Sequence, residues 1–268
     1  MFRLTREVRF AVNSGALPGT DARPTNSYGG FPSLRGFGNW LSLQVTVAGE
    51  LETSSGYLIN IKQIDAAVRE RVIPMVYDAI EGSRAATPEQ IIRPIFQRFR
   101  EQWPRLLVEK VSLNLSPFLA VGVNATEFPM VRLSQKFEFS ATHRLHNPQL
   151  AEPQNRQIYG KCNNPHGHGH NYEVQVTLAG TPDERGTLID VPEFERIVSS
   201  TVIDRFDHKN LNVELPEFAN LIPTVENIAM TIHRLLKPKF QSAGAKLASV
   251  TVWETPKTWC EYSGEDEK

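Results

Sequence analysis

The sequence predicts an α+β fold made twice over, each repeat an antiparallel four-stranded sheet with two helices on one face in the order ββααββ. Three observations carry this. Residues 28–49, "YGGFPSLRGFGNWLSLQVTVAG", align without a gap with residues 159–180, "YGKCNNPHGHGHNYEVQVTLAG". The register continues through "GYLINIKQI" (56–64) with "GTLIDVPEF" (186–194), "TPEQIIRPIFQRF" (87–99) with "TVENIAMTIHRLL" (224–236), and "VSLNLSP" (111–117) with "VTVWETP" (250–256). Collinear self-similarity of this kind marks a repeated supersecondary unit. Within each repeat a period-two apolar alternation gives way to a helical stripe and then returns. The repeats are 1–127 and 128–268, joined near "NATEFP" at 124–129, and 268 residues suit two domains of about 130.

The elements of the second repeat follow in order. Val131, Leu133, Phe137 and Phe139 alternate with Arg132, Ser134, Lys136 and Glu138, a half-buried strand in which Gln135 is the exception. Tyr172, Val174, Val176 and Leu178 alternate with Glu173, Gln175 and Thr177 to give the second strand. Asp190 followed by Glu193 predicts a capping box, with Pro192 in the first turn. Phe194, Ile197, Val198 and Val202 then form a helical stripe. Thr224 is placed to cap the second helix, as Thr87 with Pro88 is in the first repeat. Residues 246–254 and 258–262 read as the closing strands.

Composition narrows the function classes. The chain is 40% hydrophobic and 22% charged, which suits a packed core. Its net charge of −1 gives no global attraction to nucleic acid or anionic membrane, and no basic aromatic patch stands out, so neither partner is expected. The opening "MFRLTREVRFAVN" alternates charged and apolar residues, unlike a signal peptide, and no segment approaches about 18 consecutive apolar residues. Two cysteines do not make a disulfide framework. The expectation is a cytoplasmic protein with reduced thiols, a Cys162–Cys260 bridge being the alternative.

The chemistry is confined to one repeat. All seven histidines lie between 143 and 233, and both cysteines are in the second half. At the positions of Cys162, His168, His170 and Glu254 the first repeat has Phe31, Phe37, Asn39 and Leu115, and near that of His143 it has Ser14. The same scaffold is thus built without these residues. His168 and His170, two apart on a strand, share one face about 6.5–7 Å apart along the chain. By parity with Phe137 and Phe139 on one strand, and Tyr172 and Val174 on the other, His143, His168 and His170 all point to the apolar face. Three histidines with an open fourth position is the catalytic form of a zinc site. A solvated strand end also explains H-x-H, and His166 with His168 has the same spacing. His146 and His233 read as structural or solvent-facing. Cys162 needs a neighbour such as a metal, Lys161 or a histidine to become a thiolate. Asp207 and His208, adjacent in "FDHKNLN", suit general acid–base work but also suit a turn. Glu254, with the parity of Val250 and Val252, is a carboxylate on an apolar face that needs a partner such as the paired N–H edge of an aminopyrimidinone; a solvated strand end is the plainer reading.

In this order "FSATHRL", "KCNNPHGHGHNY", "LIDVPEF", "FDHKNLN", "PTVENIA" and "VTVWET" resemble the 6-pyruvoyltetrahydropterin synthase family and its relative, the 6-carboxytetrahydropterin synthase of queuosine biosynthesis. The resemblance covers 131–263, and the internal repeat extends its tunnelling fold to the first half. It implies a zinc ion held by His143, His168 and His170, a catalytic Cys162, and an Asp207–His208 pair. It also implies a pterin-anchoring Glu254, with further pterin contacts at Thr224 and Glu226; Val225 stands where the family has a second threonine. The implied substrate is 7,8-dihydroneopterin triphosphate, converted to 6-pyruvoyltetrahydropterin and triphosphate. The carboxy relative instead releases acetaldehyde. Cys162 to His168 matches the spacing of the pyruvoyl branch, while Cys162–His166–His168 also satisfies that of the carboxy branch. A non-catalytic zinc- or pterin-binding scaffold is the rival class. The resemblance further implies a homo-oligomer with sites at subunit interfaces, where Asp207 and His208 serve a neighbouring site. Metal analysis of the purified protein is expected to give about one zinc per chain; two would overturn the reading of the first repeat as free of this chemistry.

Overall fold

A computed structural model describes residues 1–13, 28–82, 86–240 and 244–264; Ser14 lies outside them. The chain forms two compact units, residues 1–134 with 179–188, and 135–178 with 189–268. A short segment of the second repeat, 179–188, thus belongs to the first unit.

In the first unit β1 (Phe2–Asn13) pairs antiparallel with β2 (Gly38–Gly49), β2 with β3 (Leu107–Asn114), and β3 with β4 (Leu119–Asn124). Leu43, Val45 and Val47 are fully buried and Gln44 and Thr46 are not, which is the period-two pattern of a sheet with one face on a core. The helices are α1 (Ile61–Ala67), α2 (Ile73–Glu81) and α3 (Pro88–Gln102), with a π-type turn at Val68–Val72 joining the first two. Asn60 starts α1 by accepting a hydrogen bond from Lys62 N. Thr87 starts α3 as expected: its hydroxyl accepts from Gln90 N while the Gln90 side chain accepts from Thr87 N, with Pro88 following. Buried Ile92, Ile95, Phe96 and Phe99 give α3 one apolar face, which packs on β3 and β4.

The second unit has the strand order β5 (Val131–His143), β6 (His168–Gly180), β8 (Ala245–Thr255), β9 (Thr258–Tyr262), the first residues of β5 and the last of β6 belonging to the first unit. Between β5 and β6 lies α4 (Glu152–Tyr159), followed by a single 3-10 turn, Gly160–Asn163. Between β6 and β8 come α5 (Val191–Val198), α6 (Asp204–Phe206), β7 (Lys209–Asn210), α7 (Leu211–Glu214) and α8 (Val225–Leu236). Strand β7 runs parallel to β5, pairing Ala141 with Lys209 and Thr142 with Asn210. Phe194, Val198 and Val202 are fully buried, as the helical stripe requires, with Val202 carried on a second π-type turn at Ser199–Ile203. Gln135 is buried and donates to Glu195, which explains the one polar residue in the apolar set of β5.

One sequence expectation changes. Asp190 is the N-cap of α5, but its side chain makes no capping bond. Its backbone carbonyl takes Phe194 N at 2.9 Å, and Glu193 is turned away into a two-bond pair with Arg196 at 2.7 Å, so no capping box forms. The ββααββ order of the repeat holds, with α4, α6, β7 and α7 added to it in the second unit. Their short segments carry no apolar period long enough to read. No helix among the described residues is long and apolar enough to cross a membrane, and Cys162 and Cys260 are both free thiols.

Glu89, in the first turn of α3, is 4% exposed, and burial pushes its carboxyl above the usual carboxylate range. A folded pKa above the unfolded value of 4.5 means that folding penalises the charged form. The contribution of Glu89 is therefore fully favourable below pH 4.5 and is lost as pH rises through the folded pKa. Glu89→Gln is expected to be more stable than the parent protein near neutral pH in urea unfolding. The difference should vanish below pH 4.5, where both side chains are neutral.

Candidate active site

His143 closes β5, and His168 and His170 open β6. Gly167 makes the meeting of these strand ends possible. It has φ +73°, and a Cβ there would lie 3.0 Å from the His143 carbonyl oxygen, so the chain turns tightly against the end of β5 before His168. The parity expectation holds: His143 is fully buried, and His168 and His170 are half-buried on the same side. Ligand atoms of His143, His168, His170 and Glu254 all lie within 4.8 Å of one another. His166 is exposed and outside this group.

The hydrogen bonds select the nitrogens. His143 Nδ1 lies 2.8 Å from the Pro223 carbonyl oxygen, which can only accept, so Nδ1 carries the proton and Nε2 keeps its lone pair. Tyr172 Oη, 3.3 Å from the same Nδ1, accepts a weaker share of that N–H. His143 Nε2 is 3.1 Å from His168 Nε2 and 3.3 Å from Glu254 Oε1, and His170 Nε2 is 3.6 Å from the same oxygen. His170 Nε2 and His168 Nδ1 are buried without a hydrogen-bond partner among the described residues, and an unmet buried polar atom costs about 1–3 kcal/mol.

This set fits a metal ion. A tetrahedral zinc with bonds of about 2.05 Å separates its ligand atoms by about 3.3 Å, close to the distances found here. Imidazole is a borderline ligand that suits zinc, and a harder carboxylate oxygen joins histidines in known zinc sites; an ion at their centre satisfies the orphaned His170 nitrogen. The histidines are also held in ligating form. Burial pushes His143 down to about 4, and burial together with His168 lowers His170, although Glu254 opposes this. Neutral imidazole is the form that binds a metal.

The remaining residues occupy three settings. Cys162 lies in the 3-10 turn after α4, where burial and then the Glu254 carboxylate push its thiol up. Without an ion the thiol is therefore protonated, not the thiolate that nucleophilic chemistry needs. Asp207 and His208 form a surface pair: Asp207 Oδ2 is 2.7 Å from His208 Nδ1, while Oδ1 accepts Ser140 N at 2.8 Å. The bond from Ser140 N, then that from His208, lowers the Asp207 carboxyl. His208 has φ +57°, the one described non-glycine residue with positive φ, and is held there by its N–H bond to Ser140 O at 2.6 Å. It lines a cleft of about 770 Å³ with His170, Lys209, Asn210 and Glu254. No hydrogen bond or ion pair joins Cys162 to Asp207 or His208 among the described residues. Thr224 caps α8 by accepting from Asn227 N at 3.4 Å, and Glu226 is exposed in the first turn.

Three features escaped the sequence. Tyr172 and the Pro223 carbonyl, which orient His143, look like an ordinary strand residue and a loop proline. Glu254 stands among the candidate ligands rather than apart from them. Of the histidines read as structural, His146 bonds Asn163 at 3.1 Å and His233 is buried against the Tyr262 ring.

Three histidines and a carboxylate that could hold a metal ion thus lie on an α+β sheet beside a cleft bearing an Asp–His pair, an arrangement that suits metal-assisted catalysis. Comparison with known proteins narrows it. Residues 132–265 match the model of the 6-pyruvoyl tetrahydropterin synthase family, and the chain belongs to that family. It is 40% identical over 142 residues to 6-pyruvoyl tetrahydrobiopterin synthase of Drosophila melanogaster, covering 51% of this chain and 81% of that protein. It is 38% identical over 135 residues to the human protein of the same name, covering 50% and 92%. Among solved structures, Caenorhabditis elegans 6-pyruvoyl tetrahydropterin synthase aligns at 36% identity and a TM-score of 0.49, covering 52% of this chain and 99% of that one.

Binding of structural zinc by zinc-finger peptides is worth roughly 10–16 kcal/mol, or about 3 kcal/mol for each of four ligands, which sets the scale for this group. His170→Ala and Glu254→Ala are each expected to weaken zinc binding about a hundredfold in competition with a chromogenic chelator. Glu226→Ala should leave it unchanged. Full affinity in Glu254→Ala would remove the carboxylate from the ligand set.

Proposed function

We propose that this protein is a zinc-dependent lyase acting on 7,8-dihydroneopterin triphosphate, giving 6-pyruvoyltetrahydropterin and triphosphate. The observation that carries the reading is the convergence of His143, His168, His170 and Glu254 within 4.8 Å beside the cleft that His208 lines. Family membership and the names of the relatives support the same substrate. Bound zinc supplies Lewis acidity toward side-chain hydroxyls of the substrate.

The protein's own residues handle protons and orientation. Cys162 Sγ holds a proton at rest and is the group to exchange it with the substrate side chain. Asp207 Oδ2 fixes the His208 Nδ1–H, which leaves His208 Nε2 as a free base at the cleft. Thr224 and Glu226, at the start of α8, are substrate-binding residues, with the Glu226 carboxylate free to accept N–H bonds from a pterin edge. The Glu254 carboxylate contributes to the metal group and also faces the cleft, where it orients the ligand. Elimination of triphosphate and internal redox of the side chain balance without an external oxidant.

The carboxy branch, releasing acetaldehyde, is the second reading. Its C-x3-H spacing requires His166 as a ligand, and His166 stands outside the metal group, which favours the pyruvoyl branch. The proposal includes the division of labour between repeats. Residues 1–127 keep the scaffold and serve assembly, with Phe31, Phe37, Asn39 and Leu115 at the positions of the reactive residues, and 128–268 carry catalysis. The protein works as a homo-oligomer with sites at subunit interfaces.

The test is incubation with 7,8-dihydroneopterin triphosphate, following triphosphate and acetaldehyde. Triphosphate without acetaldehyde is expected; acetaldehyde would assign the carboxy branch. Cys162→Ala should lower turnover at least about a hundredfold, and unchanged turnover would revive a scaffold role.

A further inference from the structure

A cleft of about 880 Å³ lies in the first unit, where α3 runs into β3 and β2 runs on toward α1. It shares no residue with the metal group or with the cleft that His208 lines. Two tight turns build its walls. Glu52 N donates to the Tyr57 carbonyl at 2.8 Å and Gly56 N to the Glu52 carbonyl at 2.8 Å, which closes the loop carrying Tyr57. Trp103 N donates to the Phe99 carbonyl at 3.1 Å and Leu106 N to the Trp103 carbonyl at 3.0 Å, which closes the other. The cleft is therefore formed before any ligand arrives, as binding sites for small molecules usually are.

Its interior is apolar and aromatic. Leu58, Ile59 and Leu106 line it together with Trp103, whose ring stacks on Phe99 with centroids 5.1 Å apart. Trp103 is 8% exposed, and Tyr57 at the mouth is 58% exposed. The second repeat differs at the matching positions. There Phe194 and Phe240, both fully buried, meet edge-on at 5.7 Å, where the first repeat has Ile64 and Trp103. Phe99 takes one face of the indole, and α1 supplies no ring to the other. The polar groups sort by what already holds them. Asn60 accepts from Lys62 N at 3.0 Å, and Glu52 accepts from Ser55 Oγ at 2.9 Å. Glu50, Glu52 and Arg105 are exposed at the rim, where water and salt screen their charge. Gln102 is different. Its Oε1 is buried without a hydrogen-bond partner, and its amide nitrogen bonds no described residue either. A buried acceptor left unmet is costly, and a ligand is one way to meet it.

We infer that this cleft binds a neutral aromatic amide, its ring against Trp103 and Tyr57 and its amide paired with the Gln102 side chain. A carboxamide presents an acceptor and a donor on adjacent atoms, so a primary amide answers it with two hydrogen bonds. The ligand is neutral because the interior holds no charge to pair with an ion, and burying an unpaired charge is unfavourable. Aromatic surface supplies the remaining attraction through offset or edge-on ring contacts. The site lies wholly in the first repeat and gives the half without metal ligands a binding role of its own. It stands apart from the proposed lyase reaction, and its test reads no activity.

Fluorine NMR of the intact protein labelled with fluorotryptophan tests this, since each of the 4 tryptophans gives its own signal. Trp103→Phe identifies the Trp103 signal by its loss. Benzamide is expected to move that signal saturably and to leave those of Trp40, Trp253 and Trp259 in place. Benzoate, of the same shape but charged and without an N–H, should bind at least about tenfold more weakly. Gln102→Leu, close in size, should weaken benzamide at least about tenfold without lowering the urea midpoint. Tyr57→Ala, at an exposed position, should weaken it about threefold. A Trp103 signal that benzamide does not move would overturn the inference. So would benzoate binding as tightly as benzamide, which would hand the ligand to Arg105, or variants at Gln102 and Tyr57 that bind benzamide as the parent does.

Discussion

The hydrogen bond from His143 Nδ1 to the Pro223 carbonyl, 2.8 Å long and buried, is the constraint on which the candidate site depends. It ties the end of β5 to the loop that starts α8, two elements eighty residues apart in sequence. It also fixes which face of the imidazole is bare. Proline suits the acceptor position, since it presents a carbonyl and has no N–H of its own to leave unmet. The neighbouring bonds stiffen the same corner: Asn227 Nδ2 donates to the Ile222 carbonyl at 2.8 Å, and Thr224 N to the same oxygen at 2.8 Å. With the ring fixed, the other imidazoles and Glu254 can converge on one point. Without it, His143 could turn its protonated nitrogen inward and the group would lose a ligand.

The site divides into a dry floor and a wet rim. On the floor, burial keeps His143 neutral and pushes the Tyr172 hydroxyl far above its ordinary value, so Tyr172 serves as a hydrogen-bonding group and not as a titrating acid. At the rim, Asp207 is charged and His208 is exposed, an arrangement suited to exchanging protons with solvent between turnovers. The left-handed backbone at His208 costs roughly 1–2 kcal/mol, and the Ser140 backbone offsets this by bonding both residues of the pair, taking the His208 N–H and donating to Asp207. A conformation held against its local preference in this way aims the imidazole at the cleft.

Much of this was legible in the sequence, for reasons that differ by element. The strands were readable because β2, β5 and β6 each have one buried face, and period two is unambiguous over eight or more residues. Thr87 and Thr224 were readable because a cap is a local event between residues three apart. Asp190 was misread as half of a capping box because Arg196, one turn on, competes for Glu193, and a pattern of two residues cannot show a third. Four short elements of the second unit were invisible, being too brief to carry a period. In the site, strand parity brought His143, His168 and His170 to one face, but left His166 and His168 as an equal alternative. The turn at Gly167 decides between them by setting His166 outside the group. The Pro223 carbonyl could not be foreseen, because any residue offers a carbonyl and only the tertiary fold chooses which one a histidine meets.

The two π-type turns, Val68–Val72 and Ser199–Ile203, carry a further consequence. Such turns usually accompany functional sites, and in the second unit this one lies just ahead of the Asp207–His208 pair. The first repeat has a π-type turn at the matching place with no such pair after it. The bend recurs at the matching place in both repeats, with an Asp–His pair after it in one and none in the other, so by itself it marks shared architecture and not activity.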